Sequence, residues 1–346
     1  MRIVKKVFSM VLMFSLLFIT GCTDQSWSFK TESSSFASGV YICSLLNSYQ
    51  TAYNKIAANG GNTVDILAAT IEDKNASDWI KDHAINQCKQ MFAIDKKFDE
   101  LGLSLSDEEL SNTQASADKS WQSLSKRFEG YGISKDSFCK VTQIYPLKSQ
   151  KLFEKIYGKS GTNAVSDDEL LKFYKEKYVY FSIATKYSSE ISTDATETQD
   201  SSVTNENKED PAETLFKGYV EQINSNQKSF DQISSELKQE NKSDDDPFRT
   251  QEVFFDNLND KFKEALKDLE VGKAAYVSNQ GTFFLFFKQD ISKKLPDLSS
   301  ESKRNEILQN MKEKEFDNML TETAEKLNIS VNNGVINKFK PDMFKK

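Results

Sequence analysis

The chain has 346 residues, enough for two domains, and carries 52 acidic against 45 basic residues, a net charge of −7. An acidic surface repels phosphates, so we expect no nucleic-acid partner. The single histidine, His83, excludes catalysis that needs two imidazoles, and its helical surroundings favour a surface or half-buried role.

The first 21 residues predict a lipoprotein signal peptide. A basic start, MRIVKK, precedes an apolar stretch that is too short to span a bilayer as a mature helix. Ile19-Thr20-Gly21-Cys22 resembles the lipobox of bacterial lipoproteins, in which the cysteine sulfur receives diacylglycerol. We therefore predict lipidation at Cys22 and a cell-membrane location on the extracytoplasmic face. The alternative is an ordinary secretory signal that a cysteine follows by chance.

Removal of residues 1–21 takes away three basic residues and leaves a net charge of −10. An acidic body does not adhere to anionic lipid, so the acyl chains would supply the anchoring. Residues 22–39 are rich in serine and other polar residues, and we predict that they form a flexible tether.

Three cysteines remain, Cys43, Cys88 and Cys139, and they form no CxxC motif or Cys/His cluster. No metal site is therefore predicted. Their apolar, helical neighbours favour a role as small buried hydrophobic residues. A Cys43–Cys88 disulfide is a second alternative.

Residues 40–177 show helical periodicity throughout, and we predict that they form a helical domain. Ser106 and Ser166 each begin the capping-box pattern Ser-Asp-x-Glu, which marks a helix start. Ser134 caps another helix, which we expect to be kinked or broken near Pro146.

The period changes at Tyr178, and residues 178–298 predict a small α+β unit. Residues 188–213 are acidic, contain hardly any large apolar side chain, and predict a disordered insertion. A long helix, about 300–327, and a short extended tail complete the predicted C-terminal segment, 299–346. The predicted elements of the α+β unit are a strand (178–187), two helices (211–226 and 229–240), a strand (249–255), a helix (261–269) and two strands (274–279 and 282–288).

Several stretches resemble the PrsA/SurA class of extracytoplasmic foldases. DWIKDHAINQCKQMFAIDKKFDELGLSLSDEEL and VSDDELLKFYKEKYVYF are similar to its helical segment and to the entry into its parvulin domain. DKFKEALKDLEVGKAAYVSNQGTFFLFF is similar to the end of that domain. The resemblance implies a parvulin-like domain, a four-stranded sheet with helices, inserted into a helical chaperone domain that the N- and C-terminal segments form together.

The parvulin pattern is incomplete at its functional positions. Parvulins carry one histidine in the first strand, where this chain has Ser182 or Ile183, and one in the last strand, where it has Phe283. The pocket motif Met-x-x-x-Phe is represented by Leu258 and Phe262. The resemblance therefore implies a proline pocket formed by Ser182, Leu258, Phe262 and Phe283, with no catalytic residue, no metal and no cofactor.

These features predict a membrane-anchored chaperone or foldase whose partners are unfolded or nascent secreted polypeptides. Prolyl isomerisation needs no proton transfer, so an active peptidyl-prolyl isomerase is one alternative. Another is the solute-binding lipoprotein of a transporter, which would require repeated strand–helix units. A surface adhesion or scaffold protein is a third.

Overall fold

The computed structural model describes residues 26–59, 61, 63–188, 210–242 and 244–345. Cys22 and most of the predicted insertion therefore lie outside the described residues. The described chain is an α+β protein with a predominance of helices and one four-stranded sheet, which confirms the predicted fold class. None of the helices in these ranges combines the length and hydrophobicity needed to cross a bilayer.

The described chain begins with a β-hairpin, β1 (Trp27–Lys30) and β2 (Ser35–Ala37). β1 also pairs with β9 (Ser330–Val331), near the other end of the chain. Phe29 and Phe36 are 0% and 4% exposed, and the Phe36 ring lies 4.2 Å from that of Phe92. The prediction of a flexible tether over 22–39 is thus wrong for residues 27–37, because two buried phenylalanines and pairing to a distant strand offset the cost of ordering this polar stretch.

The helices begin where the serine caps predict. Ser106 and Ser166 form complete capping boxes with Glu109 and Glu169, and the side chain of Ser134 accepts a hydrogen bond from the Ser137 amide. The predicted break near Pro146 is a π-helical turn at residues 140–144. The N-terminal helices are α1 (Ser38–Ala58), α2 (Ala76–Glu100), α3 (Asp107–Gly130), α4 (Lys135–Cys139), α5 (Tyr145–Tyr157) and α6 (Asp167–Lys177), with a short hairpin, β3 (Thr70–Ile71) and β4 (Lys74–Asn75), before α2.

The described residues separate into two compact units. One contains the residues up to Asn47, Lys81–Lys148 and those from Ala324 onward; the other contains Ser48–Ile80 and Ser149–Thr323. The first unit holds the N-terminal hairpin, and the second holds the four-stranded sheet. The domain boundaries derived from the sequence, at 177/178 and 298/299, stay a prediction.

The second unit contains the α+β element order that the sequence predicts. All strands of its sheet are antiparallel, in the order β6-β5-β8-β7. Its elements are β5 (Tyr178–Tyr187), α7 (Pro211–Asn224), α8 (Phe230–Asn241), β6 (Arg249–Phe254), α9 (Asp260–Leu266), β7 (Ala274–Asn279) and β8 (Thr282–Gln289), followed by α10 (Glu301–Glu325). The short helix α11 (Asn333–Ile336) follows β9 in the first unit.

Polar contacts join α10 to α6 and to the edge of the sheet. Arg304, 3% exposed, donates to an Asp167 carboxylate oxygen at 2.9 Å and to the carbonyl of Val165 at 2.6 Å. Glu252 on β6 accepts from the Tyr174 hydroxyl at 2.7 Å and pairs with Lys303 at 2.8 Å. Burial alone would raise the pKa of Glu252, but these hydrogen bonds and the Lys303 charge outweigh it and lower that pKa.

The cysteines and the histidine lie where the sequence predicts. Cys43, Cys88 and Cys139 are free and buried, so the alternative of a Cys43–Cys88 disulfide is not realised. Burial raises the pKa of the Cys43 and Cys88 thiols to about 12, which keeps both protonated near neutral pH. His83 lies half-buried on α2.

The N-terminal hairpin provides a test of this fold. Phe29→Ala should lower the free energy of unfolding by about 3–5 kcal/mol, because it leaves a cavity at a fully buried position. Chemical denaturation monitored by circular dichroism measures the change. Glu32→Ala, an exposed position in the turn, is the control and should stay within about 0.5 kcal/mol of the unmodified chain. Equal free energies of unfolding for the two variants would support the original prediction of a flexible tether.

Candidate functional site

The phenylalanine-rich strand β8 is central in the sheet and sends its side chains alternately to the two faces. Phe283 and Leu285 lie in one buried cluster, together with residues of α7 and α8. Phe286 lies in a second buried cluster, on the side of the sheet that faces α9, and Phe284 packs against that cluster. We name the two faces the α7/α8 face and the α9 face.

The α7/α8 face holds the larger buried core of the sheet, with ten buried residues against five on the α9 face. Phe216, Ile233 and Leu285 are fully buried there, and Phe283 is 4% exposed. The Phe230 ring stacks on that of Phe287 with 4.3 Å between centroids. Two helices of 14 and 12 residues cover this face. Five large apolar residues at its margin are half-buried: Leu215, Val220, Phe230, Tyr276 and Phe287.

The α9 face is only partly covered, because α9 has seven residues. The Asn259 side chain caps α9 by accepting from the Phe262 amide at 2.9 Å. The Phe262 ring then lies 5.0 Å from that of Phe284 and 4.8 Å from that of Phe286, in edge-to-face contacts. Seven large apolar residues of this face are half-buried, and we call all of them except Leu269 the open apolar surface: Ile183, Val253, Phe255, Leu258, Phe262 and Phe284.

The residues predicted to form a proline pocket do not all come together. Leu258 and Phe262 both belong to the open apolar surface. Phe283 and Ser182 lie on the α7/α8 face. A single pocket formed by all four residues is therefore not present, because neighbouring residues of a strand face opposite sides and a one-residue offset exchanges the faces.

Ser182 has a structural role in the α7/α8 face. It is 1% exposed, its hydroxyl lies 2.8 Å from that of Thr250, and it accepts from the Gln289 amide group at 2.6 Å. These bonds satisfy a buried hydroxyl between three strands.

The open apolar surface holds none of the groups that acid–base chemistry requires. Its six members are aliphatic or aromatic. On this side of β8, the Lys288 ammonium donates to the Leu266 carbonyl at 3.1 Å, and burial lowers the pKa of Lys288. Within the described ranges, no cluster of His, Cys, Asp and Glu is arranged to hold a metal ion. The surface is therefore suited to binding apolar groups.

A cleft of about 1010 Å³ adjoins the open apolar surface at Leu258. It lies between the end of α1, the β3–β4 hairpin and the start of α9, with the buried residues Ile56 and Ile71 in its lining. Lys55 and Glu72 form an ion pair at 2.9 Å in the same lining.

Sequence reasoning missed Phe284, Val253 and Phe255 as members of the surface, and it named Ile183 only as the alternative to Ser182 at the position of the first-strand histidine. The period-two pattern of β8 was the available signal, since it separates Phe284 from Phe283. Either Phe283 and Leu285 or Phe284 and Phe286 could face α9. The choice depends on strand order and register, which the sequence of one strand does not reveal.

No family model and no curated protein sequence matches the chain. Solved structures do match it. The foldase PrsA from Streptococcus pneumoniae has 13% identity and a TM-score of 0.34, with 78% of this chain and 95% of that chain covered. The peptidylprolyl isomerase PrsA from Bacillus anthracis has 14% identity and a TM-score of 0.30, with 71% and 99% covered.

A structure from Campylobacter jejuni described as a SurA-like chaperone has 14% identity and a TM-score of 0.24, with 73% of this chain and 89% of that chain covered. These identities and TM-scores do not transfer an activity, so function is argued from the site itself. The structural neighbours of this chain are PrsA and SurA-like chaperones, the class that its sequence motifs resemble.

Proposed function

We propose that this protein is a membrane-anchored extracytoplasmic chaperone or foldase that binds unfolded polypeptides on the α9 face of its sheet. The observation that carries the proposal is the open apolar surface, on which six large apolar side chains are only half-buried. A contiguous apolar surface of this kind in an acidic, hydrophilic chain is a feature of interaction sites.

The shape of the surface suits an unfolded chain better than a small solute. Its back is a rigid four-stranded sheet, and its side is the single short helix α9. Phe262 and Phe284 present ring edges and faces that accommodate different apolar side chains. Binding would thus select apolar segments and not one sequence, which is what a chaperone requires.

The same surface makes a histidine-dependent isomerase mechanism inapplicable. Catalysis of prolyl rotation requires a site that favours the twisted amide over the planar one. In the α9 face, the residues behind Phe262 are Phe284 and Phe286, which offer no hydrogen bond to a rotating carbonyl. We propose that the parvulin-like unit, 178–298, holds apolar segments without accelerating isomerisation.

Anchoring completes the proposal. Lipidation of Cys22 would keep the protein at the membrane surface, where secreted chains emerge. The acidic composition supports this division of labour, because the body of the protein has no basic excess with which to bind anionic lipid.

Client binding is tested with paired substitutions on β8. Phe284→Ala should weaken binding of a reduced and alkylated, permanently unfolded protein about tenfold, because it removes a ring from the open apolar surface. Fluorescence anisotropy of the labelled client measures the affinity. Leu110→Ala, which removes an exposed leucine on α3, is the control and should bind normally.

Phe283→Ala separates binding from stability on the same strand. It truncates a core residue of the α7/α8 face and should lower the free energy of unfolding by about 3–5 kcal/mol, well beyond the effect of Phe284→Ala. Client affinity of Phe284→Ala equal to that of the unmodified chain would contradict the assignment of the surface.

The absence of isomerase activity is a separate prediction. The protein should leave the cis–trans rate of a proline-containing tetrapeptide unchanged while it suppresses aggregation of an unfolded secreted protein at stoichiometric amounts. A protease-coupled assay gives the rate, and light scattering gives the aggregation. Acceleration that Phe262→Ala removes would establish an active isomerase in place of this proposal.

Anchoring is tested at Cys22. Cys22→Ser should move the protein from the membrane fraction to the extracytoplasmic soluble fraction, because no thioether to a lipid can form. Immunoblotting of fractionated cells, with metabolic labelling by a fatty-acid analogue, measures both effects. Label incorporation into the Cys22→Ser variant would show that another residue is modified.

A further inference from the structure

The sheet of the second unit has two edges, which differ in how their outward backbone groups are hydrogen-bonded. β7 forms one edge and β6 the other. An edge strand exposes backbone N–H and C=O groups that can pair with another strand. The question is whether side chains of this protein occupy those groups.

At the β7 edge, side chains of this protein bond to the outward backbone groups. Asn224 accepts from the Ala274 amide at 2.8 Å and donates to the Ala274 carbonyl at 2.9 Å, as a partner strand would. Further along, the Lys261 ammonium donates to the Ser278 carbonyl at 3.1 Å. The outward groups of Tyr276 and the outward N–H of Ser278 are left, so this edge is occupied at Ala274 and at the Ser278 carbonyl.

Register identifies the corresponding groups at the β6 edge. Bonding alternates along antiparallel strands, so a residue that bonds outward does not bond to its inner neighbour. The backbone N–H and C=O of Ala274 point away from the sheet. Across the sheet, Ala274 is paired with Phe287, Phe287 with Ser182, and Ser182 with Thr250. The alternation therefore directs the N–H and C=O of Thr250, and of Glu252 two residues on, away from the sheet.

No side chain or backbone group of the described residues bonds to these outward groups. The contacts of Thr250 and Glu252 outside the pairing with β5 are made by their side chains, to Ser182, Tyr174 and Lys303. The stretch from Arg249 to Gln251 is exposed to solvent. The β6 edge is thus open from Arg249 to Gln251, and the outward groups of Glu252, which no group of the described residues bonds, lie at the half-buried end of that edge.

We propose that an extended segment of an unfolded polypeptide adds to this edge as a fifth strand beside β6. The inference rests on the proposed function and specifies its binding mode: backbone hydrogen bonds to Thr250 and Glu252 hold the segment, whatever its sequence. Strand addition is an established way for a sheet to bind extended peptides.

The two faces of the added strand would meet different surroundings. Its side chains on the α9 face would lie beside Gln251 and Val253, next to the open apolar surface. Those on the other face would lie beside the polar side chains of Thr250 and Glu252. The preferred client segment therefore alternates apolar and polar residues, the pattern of a strand that has not yet found its own sheet.

Arg249 adds charge complementarity at one end. It lies on the α9 side of β6, is exposed, and forms no ion pair with any residue that the structure describes. A carboxylate in the client near this end would have a partner, which favours a segment that ends in Asp or Glu.

Amide hydrogen exchange of the full-length protein, followed residue by residue by NMR, tests the proposal. The probe is a peptide of alternating Val and Ser residues with one Glu at its end. Its control has the same composition with the valines in one block. The alternating peptide should slow exchange of the Thr250 and Glu252 amides at least tenfold, while Tyr276 on the β7 edge stays unchanged.

Thr250→Pro provides the matched variant. Proline is tolerated on edge strands and removes the outward N–H together with the Thr250 hydroxyl, so affinity for the alternating peptide should fall about fivefold. Thr250→Val keeps that N–H, removes the same hydroxyl, and should bind normally. Thermal unfolding of both variants verifies that the sheet persists.

The outcomes distinguish the binding mode from the function. Client binding without protection of Thr250 and Glu252, and without preference for the alternating peptide, would overturn strand addition and leave the proposed function intact. Protection that rises with protein concentration in the absence of peptide would assign the edge to a second copy of this chain and also overturn it. Absence of any binding of unfolded protein would defeat the proposed function itself.

Discussion

The alternation of side chains along β8 is the constraint on which the second unit depends. A strand in the middle of a sheet must bury both faces, and five successive residues from Phe283 to Phe287, four of them phenylalanines, supply apolar groups to both. Once Phe283 and Leu285 are committed to α7 and α8, Phe284 and Phe286 have to face α9. The positions of the two cores, and hence of the open apolar surface, follow from that division.

The two faces of the sheet are covered unequally, and the less covered face is the candidate binding site. Two helices cover one face, on which ten residues are buried, whereas α9 has seven residues and covers a face on which five are buried and Phe284 and Phe262 are half-buried. Evolution of a stable domain alone would favour burial of those rings, since each contributes transfer free energy only to the extent that it leaves water. Their partial exposure is the observation on which the proposed binding of unfolded chains rests.

Local signals made much of this architecture predictable. Ser106 and Ser166 begin helices because a serine side chain and a glutamate three residues later satisfy amides that the helix leaves free, and such signals lie within four residues of sequence. The order of strands and helices from Tyr178 to Gln289 follows from changes of period in the same way. The pairing of β1 with β9 was not predictable, because it joins Phe29 to Val331 and has no local signal.

The difference between local and long-range signals also explains why only two of the four predicted pocket residues lie together. Leu258 and Phe262 lie on one short helix and its approach, so their spacing alone places them together. The assignment of Phe283 required knowing which face of β8 meets that helix, and a shift of one residue reverses the answer. The proposed binding surface, made by a strand, a helix and an edge, thus depends on register. Register is set by the pairing of β8 with both β5 and β7, and Ala274, Phe287, Ser182 and Thr250 transmit it from the β7 edge of the sheet to the β6 edge.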